Sequence, residues 1–219
     1  MSLAGLFSLG GHVRDCSILK SSPEVKIKRA IKRYIRWALH DADLHVEPGA
    51  IPVHAIHAQK RGETIVAAVT RLNRRLVSLS KRYHDALGAS PSEKRNTTSH
   101  GALQDPIVEI KQEPNVNTSP NPLRKFPLLV GFVICGPIVA ILTLNTDPLG
   151  PRNRGEGTTS SKFISQFDVG EPGQDVWTSL AVAITVIHIR QTMVELASDG
   201  EEGFYRFKGA LHPDSDEDL

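Results

Sequence analysis

Phe126-Pro-Leu-Leu-Val-Gly-Phe-Val-Ile-Cys-Gly-Pro-Ile-Val-Ala-Ile-Leu-Thr-Leu144 runs for nineteen residues without a charge. The fold turns on how this stretch is read. As a helix rising about 1.5 Å per residue it would measure roughly 28 Å, enough to cross the hydrocarbon core of a bilayer. As strands it divides into Leu128–Cys135 and Ile138–Leu144, joined at Gly136-Pro137. β-branched residues recur through both halves and favour pleated backbone. Gly-Pro in mid-run also punctuates a hairpin better than a helix centre. Membrane helices tolerate Gly and Pro, so both readings stay open, with two buried strands preferred.

Upstream of the run, residues 89–125 are dominated by Ser, Pro, Asn and Thr, the composition of a flexible linker. Ile107-Val-Glu-Ile within it could pair as a short edge strand. Ile110-Lys111-Gln112-Glu113 has the apolar–Lys–x–Glu order read by SUMO-conjugating enzymes in eukaryotic cells, which makes Lys111 a candidate modification site.

Two basic helices are expected before the linker. Ser22-Pro23-Glu24 supplies a capping hydroxyl, a proline at the first helical position and an acid near the positive end of the dipole. From there Ile27, Ile31, Tyr34, Ile35 and Ala38 form one apolar stripe to about Leu39, while Lys26, Arg29, Lys32, Arg33 and Arg36 occupy the remaining surface. Between Glu63 and Leu87 the residues Ile65, Val69, Leu72, Leu76, Leu79, Tyr83 and Ala86 are spaced 4-3-4-3-4-3, and Gly88 ends the pattern. Arg71, Arg74, Arg75, Lys81 and Arg82 flank that seam. The seam is expected to close a hairpin with the first helix. Its alternative use, through Ile65, Val69, Leu72, Leu76, Leu79 and Tyr83, is self-association. Between the helices lie His40, His45, His54 and His57 with Asp41, Asp43 and Glu47; Pro48-Gly49, Pro52 and the absence of cysteine read as a loop or short strand with surface histidines rather than a metal site.

Downstream of the run, a Gly-, Pro- and Thr-rich loop covers Asn145 to Ser161. Its Arg154-to-Lys162 segment lacks the order of a phosphate loop. Phe163–Val169 alternates like a strand. Asp175 is expected to cap a last helix over Val176–Ala197 whose first half is apolar almost all round and should be buried on most faces, with His188 satisfied near its end. Phe204–Lys208 reads as a short strand. Asp214-Ser-Asp-Glu-Asp-Leu219 is an acidic tail in which Ser215 could take a phosphate.

The net charge of +2 conceals an asymmetry. Residues 1–100 carry 17 Lys/Arg against 8 Asp/Glu, and residues 101–219 carry 9 against 16, so +9 faces −7. A basic half implies an anionic partner. Two cysteines, Cys16 and Cys135, give no disulfide framework, and a short apolar N-terminus without basic residues before it does not read as a signal peptide. Asn96-Thr-Thr and Asn117-Thr-Ser match the glycosylation pattern but carry no weight without one. No triad signature, paired-cysteine metal spacing, dinucleotide-binding glycines or kinase set appears, and Cys135 reads as an inert thiol.

The sequence thus points to an α+β protein: a basic N-terminal helical hairpin over 1–88, a flexible linker over 89–125, an apolar core of a β-hairpin plus a buried helix over 126–208, and an acidic tail over 209–219. The expected role is structural and non-enzymatic, without metal or cofactor. By composition it is comparable with viral matrix or nucleocapsid-associated proteins of a virion. Its basic helices would bind RNA or an acidic membrane surface while the chain self-associates, in the cytoplasm or nucleus and in part peripheral to a membrane. Two alternatives remain: a single-pass membrane protein spanning at 126–144 with a cytoplasmic basic half, and a SUMO-accepting nuclear regulator.

Overall fold

The uncharged run forms two antiparallel strands, Leu128–Cys135 and Ile138–Asn145, paired from Leu128 opposite Asn145 to Cys135 opposite Ile138. Gly136 has a φ of +59°, and the proline after it fixes a negative φ. That combination is the pattern of the II′ turn whose twist suits a two-residue hairpin. Six consecutive residues of the first strand, Leu129 to Ile134, are buried. The spanning helix considered for 126–144 does not form.

A computed structural model of the chain describes residues 4–45, 50–88, 126–147, 161–199 and 206–207. Its elements are α1 (Ala4–Phe7), α2 (Leu9–Ile18), α3 (Pro23–Asp41), β1 (Leu44–His45), β2 (His54–Ala58), α4 (Ile65–Gly88), β3 (Leu128–Cys135), β4 (Ile138–Asn145), β5 (Lys162–Asp168), α5 (Asp175–Ser198) and β6 (Arg206–Phe207). The expected linker over 89–125, the acidic tail over 209–219, and the modification candidates Lys111 and Ser215 lie outside the described residues.

The fold is mixed α+β, as the sequence implies. Its main sheet has the order β2-β3-β4-β5; β1 and β6 form a separate two-stranded pair. β2 runs parallel to β3, with His54 opposite Val130 and Ala58 opposite Ile134. The helical region expected at 1–88 and the apolar core expected at 126–208 therefore share one sheet and one hydrophobic core.

Opposite faces of that sheet carry different helices. Gly131 faces α4: a Cβ there would lie 3.0 Å from Leu72 Cδ2 and from Leu76 Cδ1. Val139, opposite Ile134 and so on the other face, lines a small cavity with Ile27 and Ile31 of α3. α1, α2, α3 and α5 group on that second side.

The two basic helices consequently do not form the expected hairpin. Leu72, Leu76 and Tyr83 are fully buried against the sheet, Val69 and Leu79 are half-buried, and Ile65 remains 61% exposed. A 4-3 repeat specifies an apolar stripe but not the element that covers it, and here the cover is β3 with β2. The buried part of the seam packs inside the chain.

Two further expectations change at the last helix. Gln174 occupies the cap position, and Asp175 instead pairs with Arg14 of α2 at 3.1 Å. α5 buries a single face through residues such as Val182, Val186, Ile189 and Met193; Trp177 is 69% and Ile184 65% exposed, and His188 is exposed too. This is the one described helix long and apolar enough to cross a membrane, and a third of its apolar window is buried in the protein.

Candidate functional site

β2 is an edge strand, and its outer edge decides where charge collects. Val53 C=O accepts from Val130 N–H at 2.9 Å and Gln59 N–H donates to Ile134 C=O at 2.8 Å. In a parallel ladder a residue bonds its neighbour with both backbone groups, so the odd-numbered residues serve β3 and the groups of His54, Ile56 and Ala58 face outward. Such an edge needs cover. Arg75 supplies part of it, donating from a guanidinium nitrogen to Ile56 C=O at 3.1 Å.

Along this edge lies a groove of about 350 Å³ lined by Lys32, Pro52, His54, Ala55, Ile56, Arg75, Ser78, Leu79 and Arg82. It exists because α3 and α4 pack on opposite faces of the sheet and both flank β2. Lys32 reaches it from α3. Arg75, Ser78, Leu79 and Arg82, at helical spacings of three and four, form one row of α4 along it. None of these lining residues is acidic. Lys28, one turn before Lys32, has its ammonium pKa lowered by burial and then by the charges of Lys32, Arg75 and Lys60. Cations from both helices thus crowd one edge closely enough to repel one another. Next to the groove, Val25, Lys28, Arg29, Lys32, Arg33 and Arg36 line a second basic surface on α3.

His54 is the polar group at the bottom of this arrangement. Its ring Nδ1 is buried with no hydrogen-bond partner, and burial, followed by the charge of Lys32, lowers its pKa to about 4. His54 is half-buried as a residue, but its imidazole is neutral at pH 7 and its buried Nδ1 is unsatisfied. A buried polar atom left without a partner costs stability, which makes this nitrogen a candidate for contact with a ligand or a water.

The expected set of binding residues is divided by the structure. Lys32, Arg75 and Arg82 come together in the groove; Arg29, Arg33 and Arg36 lie beside it on α3. Arg74 and Lys81 are exposed on α4 but do not line it, nor does half-buried Lys26 on α3. Arg71 is committed elsewhere, to Glu63 at 3.2 Å. Sequence reasoning missed Lys28, Ser78 and His54. The four-residue spacing of Lys28 and Lys32 was the available signal for the first of these.

The histidines expected on the surface are likewise redistributed, because His54 and His57 belong to β2. His57 is buried and its Nε2 lies 3.3 and 3.2 Å from the two Glu63 oxygens. Lys60 N–H also donates to that carboxylate at 2.8 Å, and Gln59 Nε2 donates to the Glu63 C=O at 2.5 Å. The Lys60 bond first, and then His57 and Arg71, hold the Glu63 pKa down against its burial. With its oxygens this fully occupied, Glu63 is suited to fastening the corner between β2 and α4 rather than to moving protons. Cys135, half-buried at the end of β3, has its thiol pKa raised by burial and by Glu63 and Glu24, which opposes a reactive thiolate. Among the described residues no group of three or more His, Cys, Asp or Glu is placed to hold a metal. No protein-family model, curated protein or solved structure matches the chain.

Proposed function

We propose that the protein is a nucleic-acid-binding protein that holds the phosphate backbone of a strand in the groove along β2. The observation that carries this reading is the convergence of Lys32 from α3 with Arg75 and Arg82 from α4 on one concave edge without an acidic neighbour in the lining. Cations placed this way release counterions when they meet phosphates, which gives binding that is strong at low salt and indifferent to sequence. No Phe, Tyr or Trp lines the groove, so base stacking contributes nothing there and the backbone is what is held. The lining runs along a strand edge from Pro52 to Ile56, and a chain of phosphates can follow it. Arg29, Arg33 and Arg36 extend the positive field beyond it.

The test is the salt dependence of binding between the full chain and a fluorescently labelled single-stranded RNA. Lys32→Gln, Arg75→Gln and Arg82→Gln should each weaken binding and each reduce the slope of log K against log salt by about one. Arg74→Gln and Lys81→Gln, off the groove, should leave the slope as in the parent protein. Equal effects from both sets would replace the groove with a diffuse basic surface. Binding to phosphatidylserine-containing vesicles without binding to RNA would overturn the reading.

A further inference from the structure

We infer that the groove reads the terminal phosphate of a nucleic-acid strand, a phosphomonoester, rather than only its internal diesters. This rests on the nucleic-acid reading above and goes beyond it. Three cationic side chains share a space of about 350 Å³, at the small end of ligand pockets, which run from about 300 to 1,000 Å³. A single internal phosphodiester brings one negative charge to such a space. A monoester brings about −1.5 to −2 at pH 7, with three strong acceptor oxygens. Lys32, Arg75 and Arg82 match the second count. Lys28, whose ammonium is disfavoured by burial and then by Lys32, Arg75 and Lys60, would be relieved in part by the added anion.

The polar groups of the groove match a monoester as well. A neutral imidazole carries one N–H and one lone pair, and either tautomer leaves Nδ1 of His54 something to offer. A monoester near its second pKa of about 6 supplies both an acceptor oxygen and, in part of the population, an O–H donor. An internal diester supplies acceptors only. The Ser78 hydroxyl lines the same space, and the outward N–H groups of His54 and Ile56 lie on the same edge. A free 5′ or 3′ end also enters a groove head-on. A continuous strand has to pass through.

One oligoribonucleotide, labelled internally and prepared with a 5′-phosphate, with a 3′-phosphate or with neither, decides the point in titrations with the full chain. One of the phosphorylated forms is expected to bind about tenfold tighter than the unphosphorylated one, and inorganic phosphate at millimolar concentration should erase that advantage. His54→Gln and Arg75→Gln should abolish the preference while retaining residual binding. Lys32→Gln, on the exposed surface of α3, should lower the preference without any threat to folding, and Arg74→Gln should keep it. Equal binding of all three oligonucleotides overturns the terminal-phosphate inference and leaves backbone binding standing. Binding of none of them overturns both.

Discussion

Leu76→Asp should remove most of the stability of the fold. Leu76 is fully buried and meets the sheet where Gly131 leaves room for it, with a hypothetical Cβ at 131 only 3.0 Å from Leu76 Cδ1. Truncating such a leucine costs about 2–5 kcal/mol through lost transfer energy and the cavity left behind. A carboxylate at the same place adds the penalty of a polar group buried without a partner, several kcal/mol more unless the group is protonated. Folded domains are held by only about 5–15 kcal/mol, so the urea midpoint should collapse and the far-UV helix signal should fall in buffer alone. Ile65→Asp belongs to the same heptad series but starts 61% exposed, and should shift stability by no more than about 0.5 kcal/mol. Retained stability in Leu76→Asp, with dissociation of an oligomer on sizing, would mean that the seam faces another copy of the chain and not β3.

The next largest effect is that of pH acting through His54. Its pKa is about 4 in the folded protein and about 6.5 when the chain is unfolded. Between those values the unfolded state binds more protons than the folded state, so stability rises with pH across the window and falls as pH drops through it. The full contribution is present above pH 6.5. By pH 4 about 3 kcal/mol is lost, from 1.36 kcal/mol per pKa unit. Lys32 from α3 and Arg75 and Arg82 from α4 line the same groove, so a charged imidazole would meet cations from both helices there. Urea unfolding at pH 7, 5.5 and 4 should show the His54→Gln protein losing about 3 kcal/mol less than the parent over this range. The comparison cancels the carboxylates, Glu63 among them, which titrate in both proteins. Identical pH profiles would show that His54 is not held as a neutral ring.

Much of the architecture is legible in the residues. The hairpin of β3 and β4 follows from β-branched residues on either side of Gly136-Pro137, and the bounds of α3 and α4 follow from apolar periodicity with Pro23 and Gly88 at the ends. The partners of those stripes are less legible. The repeat in α4 is equally compatible with a helix, a second copy or a sheet, and what settles it is a parallel pairing of β2 with β3 across a separation of more than seventy residues. His-Ala-Ile-His-Ala is legible as a loop or short strand, but nothing in it shows that His57 is buried at the corner with Glu63 or that His54 is half-buried at the basic edge. α1 and α2 escaped notice because Gly10 and Gly11 are weak helix formers, yet Leu6, Leu9, Val13 and Cys16 carry a 3-4-3 stripe that is buried. Gly10 is needed there: a Cβ would fall 2.9 Å from Val169 C=O and onto the Asp175 carboxylate. In α5, apolar composition all round suggested burial all round; composition shows what a helix can bury, and the neighbours available decide how much it does.

The basic residues were legible as a class but not as a site. On their own helices Lys32 and Arg82 look no different from Lys26 and Lys81. Only the placement of α3 and α4 on opposite faces of one sheet, both beside β2, selects Lys32, Arg75 and Arg82.

The most direct measurement is therefore a map of the binding surface: amide chemical shifts of the isotope-labelled full chain, recorded as a short single-stranded RNA is added. The largest shifts should cluster at residues 28–32, 53–58 and 75–82, with His54 and Ile56 at the centre. Shifts confined to other surfaces, such as the exposed apolar side of α5, or no shifts at all, would contradict it.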